Sequence, residues 1–398
     1  MKKVISLALL GATTSLMAMY AEQAYLYKDP RIMGMGGANI AVGSYSTSVF
    51  SNPAGLANIK KEHGFVVDLL GIGLSASSEF DSFATDLQNA DDEEDDGKKT
   101  EAMADVLSKY SGEHFHIGID NYISISKNSD MFAWSMGLLS AVDVNIMAHG
   151  NGSTNGELLE TTTRAYAGAI IGIAKPYDTE IGRLDVGMGF KYISQQSYEG
   201  TLGISELIAD DNEDIQDKFK ERYEKKSSGF GVDIGATYKP YNDGFWHPAI
   251  AFSILNIGSI DLDKNYGGQP TTVNIGASIS PNVSYISKFV LAVDYVDILN
   301  ANKLRIYNYD ENDNVVSSDY SSSSFIKNLR VGTSIGLLDT TFLSTTLNAG
   351  LYQGAYTAGI NIELMIIKLN VATYEEEVGD NTTSIKDRRY IAQIGIGW

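Results

Sequence analysis

The sequence predicts an all-β protein: a transmembrane barrel of about fourteen antiparallel strands, preceded by a segment of different character and with helical loops on its outer side. Three observations carry this. Segments of about ten residues, alternating apolar and polar, fill the chain from Gly64 onward. The connections between them alternate in length, short then long. After the first residues, no apolar run reaches the roughly 20 residues that a membrane helix requires.

The N-terminus reads as a secretory signal. Lys2 and Lys3 supply the positive start, Val4 to Met19 is apolar and uncharged, and Ala21 precedes the polar Glu22-Gln23. The expected division is a removable signal over 1–21, a pre-barrel segment over 22–61 and a barrel over 62–398. Composition agrees with strands: Gly (39) and Tyr (23) are abundant, Pro (7) is scarce, and tyrosine suits surfaces that are half apolar and half wet. Cysteine is absent, which excludes disulfides and thiolate chemistry in an exported chain. A formal net charge of −20 argues against a nucleic-acid partner.

The strand segments fall near 64–76, 113–126, 130–149, 161–174, 183–200, 227–238, 246–260, 271–280, 287–296, 327–336, 344–352, 355–364, 367–375 and 389–398. In the fifth, Leu184, Val186, Met188, Phe190 and Tyr192 oppose Asp185, Gly187, Gly189 and Lys191. In the last, Tyr390, Ala392, Ile394, Ile396 and Trp398 share one face. Alternation alone also suits a soluble sandwich, so the loops decide. With the first strand running outward, the inner connections (127–129, 175–182, 239–245, 281–286, 337–343, 365–366) are all short. The longest stretches (77–112, 201–226, 297–326, 376–388) all fall outside, the parity an outer-membrane barrel demands.

The acid collects in those outer loops. Asp91 to Asp96 is an unbroken acidic run, Asp210, Asp211, Glu213, Asp214 and Asp217 lie in the second long loop, and Glu375 to Glu377 open the last. Stretches 101–110 and 205–224 read as helical. A solvated face explains such runs, and clustered carboxylates also suit divalent cations that bridge lipopolysaccharide phosphates. The chain ends on Trp398 in register with Tyr390, Ile394 and Ile396, the pattern that by analogy marks a signal for the outer-membrane assembly machinery.

Residues 22–61 differ in kind. They hold Gly34, Gly36 and Gly37 in Met-Gly-Met-Gly-Gly-Ala, then Asn52, Pro53, Ala54 and Gly55 in Ser-Asn-Pro-Ala-Gly-Leu-Ala. Asn-Pro-Ala-Gly is type I turn chemistry, and the glycines allow close backbone approach or positive φ. No phosphate loop is present. A Met-Gly-Gly-Ala segment followed by Asn-Pro-Ala-Gly-Leu-Ala resembles the N-terminal hatch of the FadL superfamily of outer-membrane proteins. That superfamily comprises long-chain fatty acid transporters, hydrocarbon channels and a TraF-type conjugal-transfer branch, which the long helical loops resemble most. The resemblance implies a plug shaped by Asn52, Pro53, Ala54 and Gly55. It also implies lateral release at a kink in the third strand, although 130–149 contains no Pro and, before its end, only Gly137.

Chemistry-bearing clusters are otherwise sparse. His63, His114, His116, His149 and His247 are the five histidines; His114 and His116 share a strand face without a third ligand in spacing. Asp210-x-Asn212-x-Asp214 lacks the glycine of a calcium loop, as does Asp310-x-Asn312-x-Asn314. There is no Gly-x-Ser-x-Gly elbow. No catalytic residue, metal or cofactor is expected. Two roles follow from the resemblance: passive uptake of a small hydrophobic compound of the fatty-acid or hydrocarbon class, or a TraF-type interaction or assembly component acting through its acidic loops. Asp185, Lys191, Asp233, Arg330 and Glu363, on the lumen side of their strands, are positioned to pair and hold the plug. Outer-membrane lipid and lipopolysaccharide are the expected surroundings in either case.

Overall fold

The computed structural model describes residues 22–149, 158–203, 224–241, 244–262, 267–309, 315–321, 324–340, 342–379 and 384–398. The signal at 1–21, the helix expected at 205–224, the acidic residues 210–217 and the 310–314 motif lie outside them.

The strands in chain order are β1 (Phe65–Ser77), β2 (His114–Asn128), β3 (Ala133–His149), β4 (Leu158–Asp178), β5 (Gly182–Gly203), β6 (Lys225–Pro240), β7 (Pro248–Gly258), β8 (Thr272–Ile279), β9 (Lys288–Tyr295), β10 (Lys303–Tyr309), β11 (Val315–Ser321), β12 (Leu329–Asp339), β13 (Leu343–Tyr352), β14 (Ala355–Leu364), β15 (Ile367–Glu377) and β16 (Lys386–Gly397). All but β10 and β11 form one closed antiparallel barrel, fourteen strands among the described residues. β1 closes on β16, with Leu74 opposite Ala392 and Ala76 opposite Tyr390. The seam continues past the strand end, where Val67 N–H donates to Trp398 O at 2.7 Å and Trp398 N–H to Val67 O at 2.9 Å. Closure removes the edges that a lipid-exposed sheet cannot leave unpaired.

The alternation read from sequence becomes two faces. On β5, Val186, Met188, Phe190 and Tyr192 point outward and are exposed, while Asp185, Gly187, Gly189 and Lys191 face the lumen and are buried. Aromatic residues gather outside at both ends: Tyr192, Phe230, Tyr356 and Tyr390 at the long-loop end, and Phe65, Tyr241, Trp246, Phe342 and Trp398 at the other. Such paired girdles mark the membrane interfaces. No described helix is long and apolar enough to cross a membrane, so the strands alone form the wall.

β1 carries one irregularity. Leu69 and Leu70 both face outward, and the pairing with β2 shifts between Asp68 and Ile72. This is a bulge, one extra residue that leaves a backbone N–H without a ladder partner. Asn121 Oδ1 accepts that of Gly71 at 3.1 Å. β3, by contrast, pairs with β2 from Ala133 to Met147 and with β4 to His149 without a shift. The inward kink that the resemblance implied for the third strand is therefore absent, in keeping with a segment free of proline.

Two outer-loop features were not anticipated. The first long loop folds into two helices, Phe80–Asp91 and Asp96–Lys109, where sequence reading gave one, over 101–110. Phe83 stacks on Phe115 with centroids 4.2 Å apart, and Tyr110 meets both rings edge-on. The acidic run forms the turn between the helices: Asp91 pairs with Lys99 at 2.7 Å and Asp95 caps the second helix through Lys98 N–H. Among the described residues no carboxylates converge as a metal site there. The loop between β9 and β12 holds the separate hairpin β10–β11.

Candidate functional site

The lumen is filled by the segment that precedes β1. Residues 22–28 meet the outer halves of β2, β3, β4, β12, β15 and β16; the middle crosses the wall at β12–β14; 52–58 meet the inner halves of β4, β5 and β6. Polar and close backbone attachments alternate with apolar ones: Leu26, Val49 and Leu56 pack with Leu139, Ile170 and Ile193 of the wall, and Met33 packs with Tyr352, Ala372 and Ile391.

The Gly-rich motif lies where the chain passes closest to the wall. Gly36 has φ +66°, and a Cβ there would stand 2.1 Å from Val331 O, so no other residue fits without displacement. Gly34 faces Gly359 on β14, where an added Cβ would lie 2.9 Å from the opposing Cα. Thr357 ties the two segments together: its hydroxyl donates to Gly34 O at 2.9 Å and accepts Gly36 N–H at 3.0 Å. Gly37 takes φ +76° against Tyr352 and Arg330.

Asn52, Pro53, Ala54 and Gly55 open a 3-10 helix, Pro53–Asn58, rather than an isolated turn. Asn52 is its N-cap. Its Oδ1 accepts Ala54 N–H at 3.0 Å, while Nδ2 donates to Ile40 O at 2.8 Å and Thr237 Oγ1 at 3.1 Å. Pro at the first helical position has no N–H to leave unpaired. The wall makes room with glycine: a Cβ on Gly187 would meet Ala54 N at 2.3 Å. Gly55 in turn packs on Gly43.

Charge holds the outer end. Glu22 accepts from Arg389 at 2.9 Å and Lys28 at 2.8 Å, and Lys28 reaches Glu376 at 2.7 Å. Arg389 also binds Asp387 at 2.6 Å, which His114 contacts at 2.9 Å. Burial alone would push the Glu22 carboxyl up; Arg389, Lys28 and Arg164 outweigh it and hold it well below the usual carboxylate range. Burial would likewise depress Lys28, but Glu22 and Glu376 raise it well above the usual ammonium value. Asp29 caps the helical turn Pro30–Gly34 and grips Arg31 at 2.6 Å. Burial would raise Asp29 and the Arg31 guanidinium lowers it, with the latter prevailing.

Of the lumen-side charges singled out in sequence, Lys191 pairs with Asp233 at 2.9 Å, Asp185 takes Arg183 and Lys239 at 2.6 and 2.9 Å, and Arg330 donates to Gln23 at 2.7 Å. Glu363 is half-buried near the inner end. His116 lies between Ser75 Oγ at 2.8 Å and Asn145 Oδ1 at 2.9 Å, so both strand-face histidines are held by protein groups. Tyr390, Ile394, Ile396 and Trp398 face outward on β16. Sequence reading missed Glu22, Lys28, Asp29, Glu376, Arg389 and Asp294. The last accepts both Asn39 and Ile40 N–H, at 2.6 and 2.8 Å. The available signal was a lone charge on a strand's polar face.

Between strap and wall lies a cavity of about 220 Å³. The hatch side supplies Tyr25, Leu26, Tyr27, Ile32 and Phe50; the wall side supplies Lys191, Leu255, Asn256, Gln269, Thr272, Arg330 and Tyr352. Tyr27, Phe50 and Tyr122 form an aromatic trio with centroids 5.0 to 5.7 Å apart.

Comparison with known proteins follows this geometry. A "TodX deltaS2S3 mutant monoaromatic hydrocarbon channel" aligns over 95% of this chain and 99% of its own, at 11% identity and TM-score 0.56. The Pseudomonas putida toluene transporter TodX aligns over the same shares at 10% identity and TM-score 0.53. The likeness is one of fold. No curated protein matches the chain. The family described as "F plasmid transfer operon, TraF, protein" matches residues 49–297, from the end of the hatch to past β9, and the chain belongs to that family.

Proposed function

We propose that this protein is an outer-membrane channel that binds small hydrophobic compounds in its plugged lumen and passes them inward. The cavity carries this reading: it is enclosed by the barrel, walled on one side by aromatic hatch residues, and bounded by the segment that plugs the lumen. The toluene transporter of like fold supports a channel of this general kind. Transfer of apolar surface from water into such a site contributes roughly 25 cal/mol per Å², enough to concentrate a solute without an energy source.

In this reading residues 1–21 are the export signal, 22–61 the hatch and 62–398 the barrel. Gly34, Gly36, Gly37 and Asn52 to Gly55 seat the hatch, which must shift for passage. Tyr390, Ile394, Ile396 and Trp398 present the terminal strand to the assembly machinery, and lipid and lipopolysaccharide surround the finished barrel. Since β3 is continuous, the route inward runs past the hatch rather than through a gap at that strand. Proteoliposomes loaded with the purified protein test it: uptake of labelled monocyclic or acyl compounds should exceed that of empty vesicles, and equal uptake sinks the proposal.

A second reading draws on the family match and the outer helical hairpin. The packed helices Phe80–Asp91 and Asp96–Lys109 present an acidic turn suited to a basic protein partner. Deleting 79–111 should then abolish partner capture while leaving uptake intact; unchanged capture removes this role.

A further inference from the structure

We propose that the lumen cavity selects small neutral monocyclic solutes bearing a hydrogen-bond donor, such as phenols, over plain hydrocarbons and long acyl chains, with Gln269 reading the donor; this rests on the channel reading above. Size comes first. An apolar cavity of about 150 Å³ holds benzene, and this one measures about 220 Å³. It therefore takes one ring with one or two small substituents, and a long acyl chain exceeds it.

Polarity comes second. Gln269 lines the cavity and is only 3% exposed. Its amide nitrogen is committed to Tyr25 O at 3.1 Å, Tyr166 Oη at 3.2 Å and Gly267 O at 2.9 Å, which fixes the orientation of the amide. Its Oε1 accepts no hydrogen bond among the described residues. With its nitrogen fixed, this oxygen can accept from a ligand hydroxyl, a bond that a methyl group cannot supply.

Charge comes third. Lys191 is neutralised by Asp233 at 2.9 Å, and Lys28 by Glu22 and Glu376. Arg330 is spent on Gln23 and on backbone carbonyls of residues 327 and 329. Arg330 keeps its positive charge, but the carboxylates of Asp29 and Asp297 line the same cavity, so an anionic ligand gains little there and the favoured donor is uncharged.

Titration calorimetry on the detergent-purified protein tests this with p-cresol, toluene and palmitate. p-Cresol should bind about tenfold more tightly than toluene, the worth of one neutral hydrogen bond. Gln269→Leu should bring the ratio close to one. Leu255→Trp, which fills the cavity from the wall side, should weaken both ring compounds. Toluene binding as well as p-cresol, a ratio unchanged in Gln269→Leu, or affinities unmoved by Leu255→Trp would overturn the proposal. Palmitate binding alone would overturn it while leaving the channel reading standing. No binding by any probe, together with no vesicle uptake, would remove both.

Discussion

Glu22 and Arg389 form a buried ion pair at 2.9 Å although 367 residues separate them in the chain. Through this pair the start of the hatch is fastened to the last strand of the barrel. Arg389→Met leaves Glu22 and Asp387 buried with their main cation removed, a loss on the order of 3–5 kcal/mol. Urea unfolding in micelles should show a clearly lowered midpoint. Adding Glu22→Gln should recover part of the loss, and strict additivity of the two changes would argue against the pair.

The same cluster sets a pH response. Glu22 and Asp29 are held below their ordinary values in the folded protein. Their stabilisation is fully present above the unfolded carboxylate range, about 4, and is lost as pH falls through the lower folded values. Lys28 is raised, so its contribution holds below the unfolded value of about 10.4 and fades as pH climbs through the folded one. The stability this cluster adds, read as the difference in melting temperature between wild type and the Glu22→Gln/Lys28→Met double variant, should therefore be flat from about pH 5 to 9 and shrink in acid. A maximum confined to pH 4 would contradict this assignment.

Two glycines with nearly the same φ separate backbone strain from crowding. Gly36 (φ +66°) has Val331 O where a Cβ would stand, whereas Gly64 (φ +67°) has nothing within 4 Å. At Gly64 ψ is −112°, outside the left-handed helical region, so Gly64→Ala should cost about 1–3 kcal/mol of backbone strain alone. Gly36→Ala adds a backbone clash and should dislodge the hatch. Single-channel recordings should show persistent ion leak for Gly36→Ala and none for Gly64→Ala.

Asn52→Ala removes the cap on Ala54 N–H and strips Ile40 O of its donor in a buried setting. The expected cost is about 2–3 kcal/mol. Asn52→Asp keeps the cap but turns a carboxylate oxygen onto Ile40 O in a fully buried site, so it should cost at least as much as Asn52→Ala. A midpoint for Asn52→Asp close to wild type would assign the effect to the cap instead.

Asn121→Leu tests the bulge in β1. Without the Asn121 side chain the Gly71 N–H faces a lipid environment unpaired, at about 1–3 kcal/mol. Folding yield in lipid vesicles should fall more than in micelles, where water reaches the site.

The fourteen wall strands were legible because each residue's face is set by the one before it: Val186 out, Gly187 in, Met188 out. Loop parity then placed the ends. The helix Phe80–Asp91 was overlooked although Phe80, Phe83, Leu87 and Ala90 follow helical spacing, since its packing partner Phe115 lies on a strand. The β10–β11 hairpin escaped because Ser317 and Ser318 interrupt any apolar alternation in the sequence there. In the hatch, Gly36 and Asn52 stood out by residue type, whereas Gln269 and Arg389 did not. Their roles arise from Tyr25 and Glu22, partners hundreds of residues away that only the closed barrel brings near.

The path of the hatch has a consequence for biogenesis. Its outer fastenings, Glu376 and Arg389, belong to the two strands made last, and β16 is also the strand that seals against β1. An intact cylinder offers no side entrance for an already folded plug. A leading segment enclosed before the seam closes would gain its final partners as the seam forms, making sealing and anchoring one event. A chain that ends early would lose both together.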